Sequence, residues 1–241
     1  MAYLSVPRRD PVDNGEAVHL ALEEAGISYS VGDSTDLIGL TNEPPPVLLP
    51  DDGSGPTSGT LRILRNNCMK IQLCGHGSEN FHRIHATAEL TFLCFNTALY
   101  EWREEDTEGL SEQEQRRMRG DWGRDWVDSV LPHHLDQFQN NLPPPAPPNY
   151  PWLHGDELSY ADLLLFQCID ETKHLFPKAM NQARRSGRYG RIFRVYDSVK
   201  QRSRISSYLN SQRRRDNTAG IYCYHEEMDL ESTAWSVMNG G

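Results

Sequence analysis

The chain has 241 residues, 37% of them hydrophobic, and a formal net charge of −10, enough to bury one substantial core or two smaller ones. The acidic balance argues against general nucleic-acid binding. No apolar run reaches the ~18 residues that a membrane span needs, and the opening MAYLSVPRRD lacks the apolar stretch of a secretory signal. A soluble cytoplasmic protein is the expectation. The five cysteines, at 68, 74, 94, 168 and 223, are scattered without a C-x-x-C pair, which speaks against a disulfide framework and a zinc site. Neither the FHRIH run at 81–85 nor His133-His134 has carboxylates or thiols at ligand spacing, so no metal is expected.

In chain order, AYLSV is a short candidate strand. In DNGEAVHLALEEAGISYSV, Val18, Ala21, Leu22 and Ala25 have the i, i+3, i+4, i+7 spacing of a core-facing helix. Asp13 and Glu16 predict a capping box at its start, Gly26 suits its C′ position, and ISYSV reads as a strand. Strand, helix and strand of this length make a βαβ unit. PPPVLLPDDG then gives a short apolar run with a turn, and TSGTLRILRNN predicts a helix opened by Thr57 and Ser58.

From about residue 79 the texture is helical. Phe81, Ile84, Ala88, Phe92, Phe95 and Leu99 follow helical spacing, and Ser111 with Glu114 predicts a capping box for a helix kinked near Pro132. A proline-rich loop at 143–151 leads into GDELSYADLLLFQCIDE, where Ser159 and Asp162 form another box. Asp is shorter than the usual Glu, so the reciprocal bond must be tight. The segment that follows has too few polar positions for a surface helix and reads as buried. The fold class expected is α/β plus all-α: a small α/β domain over 1–74, an all-helical domain over 79–215 and a polar tail over 216–241.

Four segments now resemble one family in the right order. GEAVHLALEEAGISY resembles the first helix and second strand of the glutathione transferases, and PPVLLPDDG the segment whose cis-proline opens their third strand. GDELSYADLLLF resembles the capped helix of their helical domain, and ISSYLNSQRR the way many of those domains close. The resemblance covers roughly residues 1–215. It implies an N-terminal thioredoxin-like domain that binds glutathione, a helical domain that adds a pocket for a hydrophobic small-molecule co-substrate, and a cytosolic homodimer.

By the same resemblance, Pro46 is the cis-proline candidate. Ser58, twelve residues on, matches the serine that holds the γ-glutamyl carboxylate. Two departures stand out. The residue before the cis-proline normally pairs its backbone N–H with glutathione, but here it is Pro45, which has none; either the register slips to Glu43 or Pro44, or one hydrogen bond is missing. Thr57 replaces the usual Gln or Glu before the serine.

The hydroxyl that stabilises the thiolate has several candidates. Counting back from Glu16, the family tyrosine falls on Arg8, and the serine or cysteine of other classes on Asp13 or Asn14. The loop VPRRDPVDNG looks lengthened, so Tyr3 or Ser5 could also be brought in. Asn14 is the first choice, because an amide N–H at a helix start can donate to a thiolate. Phe92, Asn96 and Tyr100 form the candidate co-substrate face, with core packing as the alternative use of each.

The implied activity is attack of the glutathione thiolate on an activated alkene or other electrophile, giving conjugation or cis–trans isomerisation. The departures favour a specialised biosynthetic or isomerase role over broad detoxification, and the resemblance extends to fungal-type members of specialised, secondary metabolism. A non-catalytic binding or scaffold protein on the same fold is the second expectation. The run 184–215 holds eleven of the 24 Lys and Arg with interleaved aromatics, a pattern also found in nucleic-acid patches. Ile192, Val195, Tyr196 and Val199, however, share a core-facing stripe there, which makes the arginines a solvated face and nucleic acid an unexpected partner.

Overall fold

The computed structural model describes residues 2–6, 15–33, 46–75, 77–97, 109–142, 150–214 and 223–235. Its first part is a mixed sheet of order β2-β1-β3-β4. Strand β1 (Ala2–Val6) runs parallel to β2 (Tyr29–Asp33), with helix α1 (Glu16–Ala25) between them in sequence. The parallel pairing requires a crossover, and α1 supplies it by burying Ala17, Val18, Leu20, Ala21 and Leu22. Strand β3 (Val47–Leu49) is antiparallel to both β1 and the two-residue β4 (Thr57–Ser58), and α2 (Thr60–Asn67) follows. This βαβ–ββα order is the thioredoxin-like arrangement expected.

Two starts differ from the expectation. Helix α1 begins at Glu16, after Gly15 in the left-handed conformation (φ 70°), so Glu16 opens the helix rather than standing at its third position; Asp13 lies outside the described residues. Thr57 and Ser58 do not open α2. They pair with β3, Gly59 (φ 83°) turns the chain, and the helix starts at Thr60. Strand pairing claims the two hydroxyl residues that local capping chemistry would have assigned to the helix.

From Ser78 onward the regular elements described are helical. Helix α3 (Ser78–Thr91) continues into a π turn over Phe92–Thr97. Helix α4 (Glu112–Asp125) is opened by the Ser111–Glu114 capping box and runs through a second π turn (Trp126–Val130) into α5 (Leu131–Asn141). The expected kink near Pro132 takes this form: the proline lacks an N–H for the helical ladder, and the wider turn lies just ahead of it. Helices α7 (Pro177–Arg185), α8 (Gly190–Lys200) and α9 (Ser203–Leu209) follow α6 (Tyr160–Leu175), which is central.

Helix α6 packs against α1, α3, α7 and α8. Leu163, Leu164, Leu165, Phe166 and Ile169 are buried all round it, each worth about 1.5–3 kcal/mol of apolar transfer. Its start is held as the sequence implies. Asp162 Oδ2 accepts the backbone N–H of Ser159 at 2.8 Å and its hydroxyl at 2.7 Å, while Oδ1 accepts the N–H of Leu153 at 2.8 Å. The carboxyl therefore pins both the helix and the loop before it. Burial pushes its pKa up, to about 6, against these hydrogen bonds.

The basic run has partners. Arg202 pairs with Glu24 and Arg213 with Glu23, tying the end of the chain's helical part to α1. Arg214 reaches Asp170 at 2.5 Å and Glu16 at 3.8 Å, Arg188 reaches Asp136 at 2.7 Å, and Arg184 pairs with Asp197. These arginines are ion-paired, not merely solvated.

The segment 223–235 packs on the helical part. Met228 and Trp235 are buried, Arg119 on α4 meets Glu227 at 2.5 Å, and Asp229 accepts the N–H of Lys178 at 2.9 Å, capping α7 from outside. Gly123 on α4 makes room for the strap: a Cβ there would stand 2.7 Å from Met228 Cα.

Candidate functional site

The sheet register assembles the candidate site. Ser5 pairs with Val47, and Val47 pairs with Ser58, so β1, β3 and β4 present Ser5, Val47 and Ser58 in one row across the sheet. Pro46 sits at the head of that row, buried, with its carbonyl accepting the N–H of Gly59 at 2.9 Å. The sequence separation between Pro46 and Ser58 thus closes into spatial proximity because the 50–56 turn folds β4 back onto β3. Ser58 is buried at 6% exposure and Thr57 is half-buried.

Tyr3 lies two rows away, opposite Leu49, so of the two β1 candidates Ser5 is the one in register with Val47. Tyr3, Ser5 and Asn96 are placed by backbone alone. Asn14, Arg8, Pro45 and Tyr100 lie outside the described residues. Phe92 heads the first π turn, half-buried and packed against the core, next to the exposed Leu93; Phe95 is fully buried, edge-on to Phe138 at 5.7 Å. The π turn widens the helix exactly where the strict α spacing of 92, 96 and 100 was expected to make one face.

The start of α1 carries a charged cluster whose partners lie far along the chain. Glu16 accepts the hydroxyl of Tyr208 on α9 at 3.0 Å and stands 3.8 Å from Arg214. His19, one turn on and buried, stacks on Tyr208 with ring centroids 6.1 Å apart, and its Nδ1 is 3.0 Å from the hydroxyl of Tyr29, which donates to Glu23 at 2.8 Å. Burial and the Glu16 charge push the Tyr208 hydroxyl's pKa up, so it stays a donor. Arg214 and Tyr208 together offset the Glu16 charge at a helix end that favours anions. No local signal marks these residues, since Glu16 and Tyr208 are 192 positions apart.

A cleft of about 870 Å³ lies elsewhere, lined by Glu24, Ala25, Met69, Cys74, Trp152 and Arg202 among others. It borders the C-terminal end of α1, and ten residues of helix, about 15 Å, separate it from the helix start beside Gly15. Pro46, Thr57 and Ser58 are not among its walls. Size does not make it the site of the chemistry.

Comparison with known proteins bears on this geometry. A family model described as glutathione S-transferase, C-terminal domain, matches residues 101–212. No curated protein matches the sequence. Among solved structures, the Pi-class glutathione S-transferase of Onchocerca volvulus is 18% identical, with 86% of this chain and 91% of that chain covered and a TM-score of 0.60. Prostaglandin synthase D of Nilaparvata lugens is 15% identical over 88% of this chain and 98% of that one, with a TM-score of 0.63. A glutathione S-transferase of the hookworm Necator americanus, described as monomeric, is 15% identical over 89% and 98%, with a TM-score of 0.62.

The fold is that of the glutathione S-transferases. Within it, α1 to α2 with the four strands form the thioredoxin-like part, and the helices from Ser78 onward the helical part. Among the described residues no helix is long and apolar enough to cross a membrane.

Proposed function

We propose that the chain is a glutathione-dependent enzyme that binds glutathione along the Pro46–Ser58 edge and acts on a hydrophobic electrophile. The observation that carries this reading is the row Ser5–Val47–Ser58 headed by Pro46, in a fold shared with glutathione S-transferases. Ser58, with Thr57 beside it, would hold the γ-glutamyl end. The buried hydroxyl beside a helix start suits a carboxylate.

At the other end of the tripeptide, Asn14 is the first candidate donor to the sulfur, with Ser5, Tyr3 and Arg8 as the others. A free thiol has a pKa near ~8.5, and lowering it by ~2 units takes about 2.7 kcal/mol of preferential anion stabilisation. The start of α1 contributes part of this, and the pairing of Glu16 with Tyr208 and Arg214 limits the opposition from its carboxylate. When bound, glutathione supplies a thiolate that either stays on the electrophile, as in conjugation, or leaves after bond rotation, as in cis–trans isomerisation. Likeness to a glutathione S-transferase and to a prostaglandin synthase keeps both outcomes within the reading.

Phe92, Asn96 and Tyr100 are proposed to face the co-substrate. A cytoplasmic homodimer is proposed with the fold, and sedimentation tests it against the monomeric state described for the hookworm relative. The specialised role, of fungal secondary-metabolite type, rests on Pro45, Thr57 and the lack of a Tyr or Ser in the register of the family's catalytic hydroxyl.

The enzymatic reading is tested by supplying glutathione with an aryl halide or with a polyunsaturated ketone. Glutathione-dependent turnover of either supports it. Binding without turnover of any electrophile moves the chain to the second reading, a non-catalytic binding or scaffold protein, which the missing N–H at Pro45 favours.

A further inference from the structure

The link between α2 and α3 holds two thiols that the glutathione site does not use. Cys68 ends α2: its N–H bonds the carbonyl of Leu64 at 2.8 Å, and its own carbonyl accepts the N–H of Leu73 at 2.8 Å. That bond closes the turn 68–73 on itself. Gln72, at φ 55°, is the one side-chain-bearing residue with positive φ among those described, and Gly75 follows at φ 64°. A conformation that L residues avoid is thus held here, and it folds Cys74 back toward the end of α2.

The Cys68 thiol donates to the carbonyl of Arg65 at 3.1 Å, and the Cys74 thiol to that of Gly75 at 3.6 Å. Neither is in a disulfide, and the closed turn sets Cys74 near enough for its charge to act on the Cys68 thiol. Their surroundings differ. Cys68 is 0% exposed, whereas Cys74 is half-exposed on the wall of the 870 Å³ cleft, beside Met69 at 75% exposure. The turn is also fastened to the centre of the fold. Leu73's carbonyl accepts the N–H of Tyr160, the first residue of α6, at 2.9 Å, and the Tyr160 hydroxyl lies 3.1 Å from His85 Nδ1.

We propose that Cys68 and Cys74 are a redox pair that closes reversibly into an intrachain disulfide, with glutathione disulfide as oxidant. Cys74, reachable from the cleft, attacks one sulfur of glutathione disulfide as its thiolate. The glutathione S–S bond breaks, one glutathione thiolate leaves, and Cys74 carries the other glutathionyl group. Cys68 then attacks the Cys74 sulfur, the Cys74–glutathione S–S bond breaks, and the departing glutathione thiolate takes up the Cys68 proton, releasing the second glutathione. Two protein thiols are oxidised to one disulfide, and one glutathione disulfide is reduced to two molecules of glutathione.

Burial, followed by the charge of Cys74, pushes the Cys68 thiol up to about 12. That makes it a poor first nucleophile. Cys74, on the cleft wall, is the thiol the oxidant meets first, and the closed turn leaves Cys68 beside the capped sulfur for the second step. The inference stands apart from the glutathione site at Pro46 and Ser58, because the oxidant arrives through the cleft.

The test uses the full chain, reduced and then incubated over a series of glutathione to glutathione disulfide ratios. After an acid quench, unfolding and alkylation of the free thiols, mass spectrometry of the proteolytic fragments reads the outcome. The expected result is loss of alkylation at 68 and 74 together, a 68–74 linked fragment lighter by two hydrogens, and recovery on adding dithiothreitol. Cys68→Ala should instead accumulate a glutathionyl group at position 74, and Cys74→Ala should leave position 68 alkylatable only after unfolding. The proposal is overturned if both thiols of the wild-type chain stay alkylatable at the most oxidising ratio. It is equally overturned if the wild type stops at a stable glutathionyl group on Cys74. Both of these outcomes are read on the wild type, so a variant that misfolds does not shield the proposal.

Discussion

Tyr208 donates its hydroxyl to Glu16 at 3.0 Å, so the last helix holds the first turn of α1, the element that borders the candidate glutathione site. The bond joins the thioredoxin-like and helical parts where Arg214 also approaches. A hydrogen bond to a charged group contributes about 1.5–3 kcal/mol. Tyr208→Phe should therefore lower the unfolding free energy read from urea denaturation by an amount in that range, moving the midpoint down, while leaving the near-ultraviolet spectrum folded. An unchanged midpoint would show that the link carries no stability.

The docked segment 223–235 makes a contrast between two glycines of one helix. At Gly123 a Cβ would meet Met228 Cα at 2.7 Å, while at Gly120 the nearest atom, the carbonyl oxygen of Glu227, is 3.5 Å away. Gly123→Ala should cost about 1–3 kcal/mol by overpacking. Gly120→Ala should be neutral or stabilising by up to about 1 kcal/mol, from helix propensity. Thermal unfolding of the two variants side by side checks this; equal effects would mean that the strap does not press on α4.

Removing the outside cap of α7 gives a further readout of the strap. Asp229 accepts the N–H of Lys178 at 2.9 Å, and Asp229→Ala should cost about 1 kcal/mol. The same change should raise the rate of proteolysis within 223–235. Protection equal to wild type would contradict the docking.

Acid should act on the loop before α6 through two groups of opposite sign. His154, 2.7 Å from the Thr87 hydroxyl, has its pKa lowered to about 4 by burial, with Arg83 and Arg191 adding to the effect. Its unfolded value is about 6.5, so its contribution is present above pH ~6.5 and is lost as pH falls toward about 4. Asp162 is pushed up to about 6 from an unfolded ~3.9; its contribution is present below pH ~4 and is lost as pH rises through about 6. His154→Gln should flatten the loss of stability between pH 7.5 and 5, and Asp162→Asn should steepen it while costing about 1–3 kcal/mol at pH 7 for its broken capping bonds. Denaturation midpoints at the two pH values decide; slopes identical to wild type would remove both assignments.

What could be read from the sequence were the features made within a few residues. The Ser159–Asp162 and Ser111–Glu114 boxes form because each couples a side chain to a backbone three positions away, and both stand in the structure. The buried stripe Ile192, Val195, Tyr196 and Val199 followed from periodicity alone. The readings that differed depended on distant partners. Thr57 and Ser58 looked like helix openers until β3 paired with them, and Arg202, Arg213 and Arg214 looked solvated because Glu24, Glu23 and Glu16 lie nearly two hundred residues earlier. Met228 shows no signal for docking, since its place is made by the missing Cβ of Gly123. Of the candidate site, the Pro46–Ser58 spacing could be read, but the row through Val47 needed the strand register, and Asn14, Arg8, Pro45 and Tyr100 lie outside the described residues.

The central claim is that the Pro46–Ser58 edge holds glutathione, and calorimetric titration of glutathione into wild type and Ser58→Ala tests it most directly. Losing a hydrogen bond to a charged carboxylate is worth about 1.5–3 kcal/mol, so the account predicts saturable binding to the wild type and roughly tenfold or more weaker binding to the variant. No heat at millimolar glutathione, or the same Kd for both proteins, would contradict it.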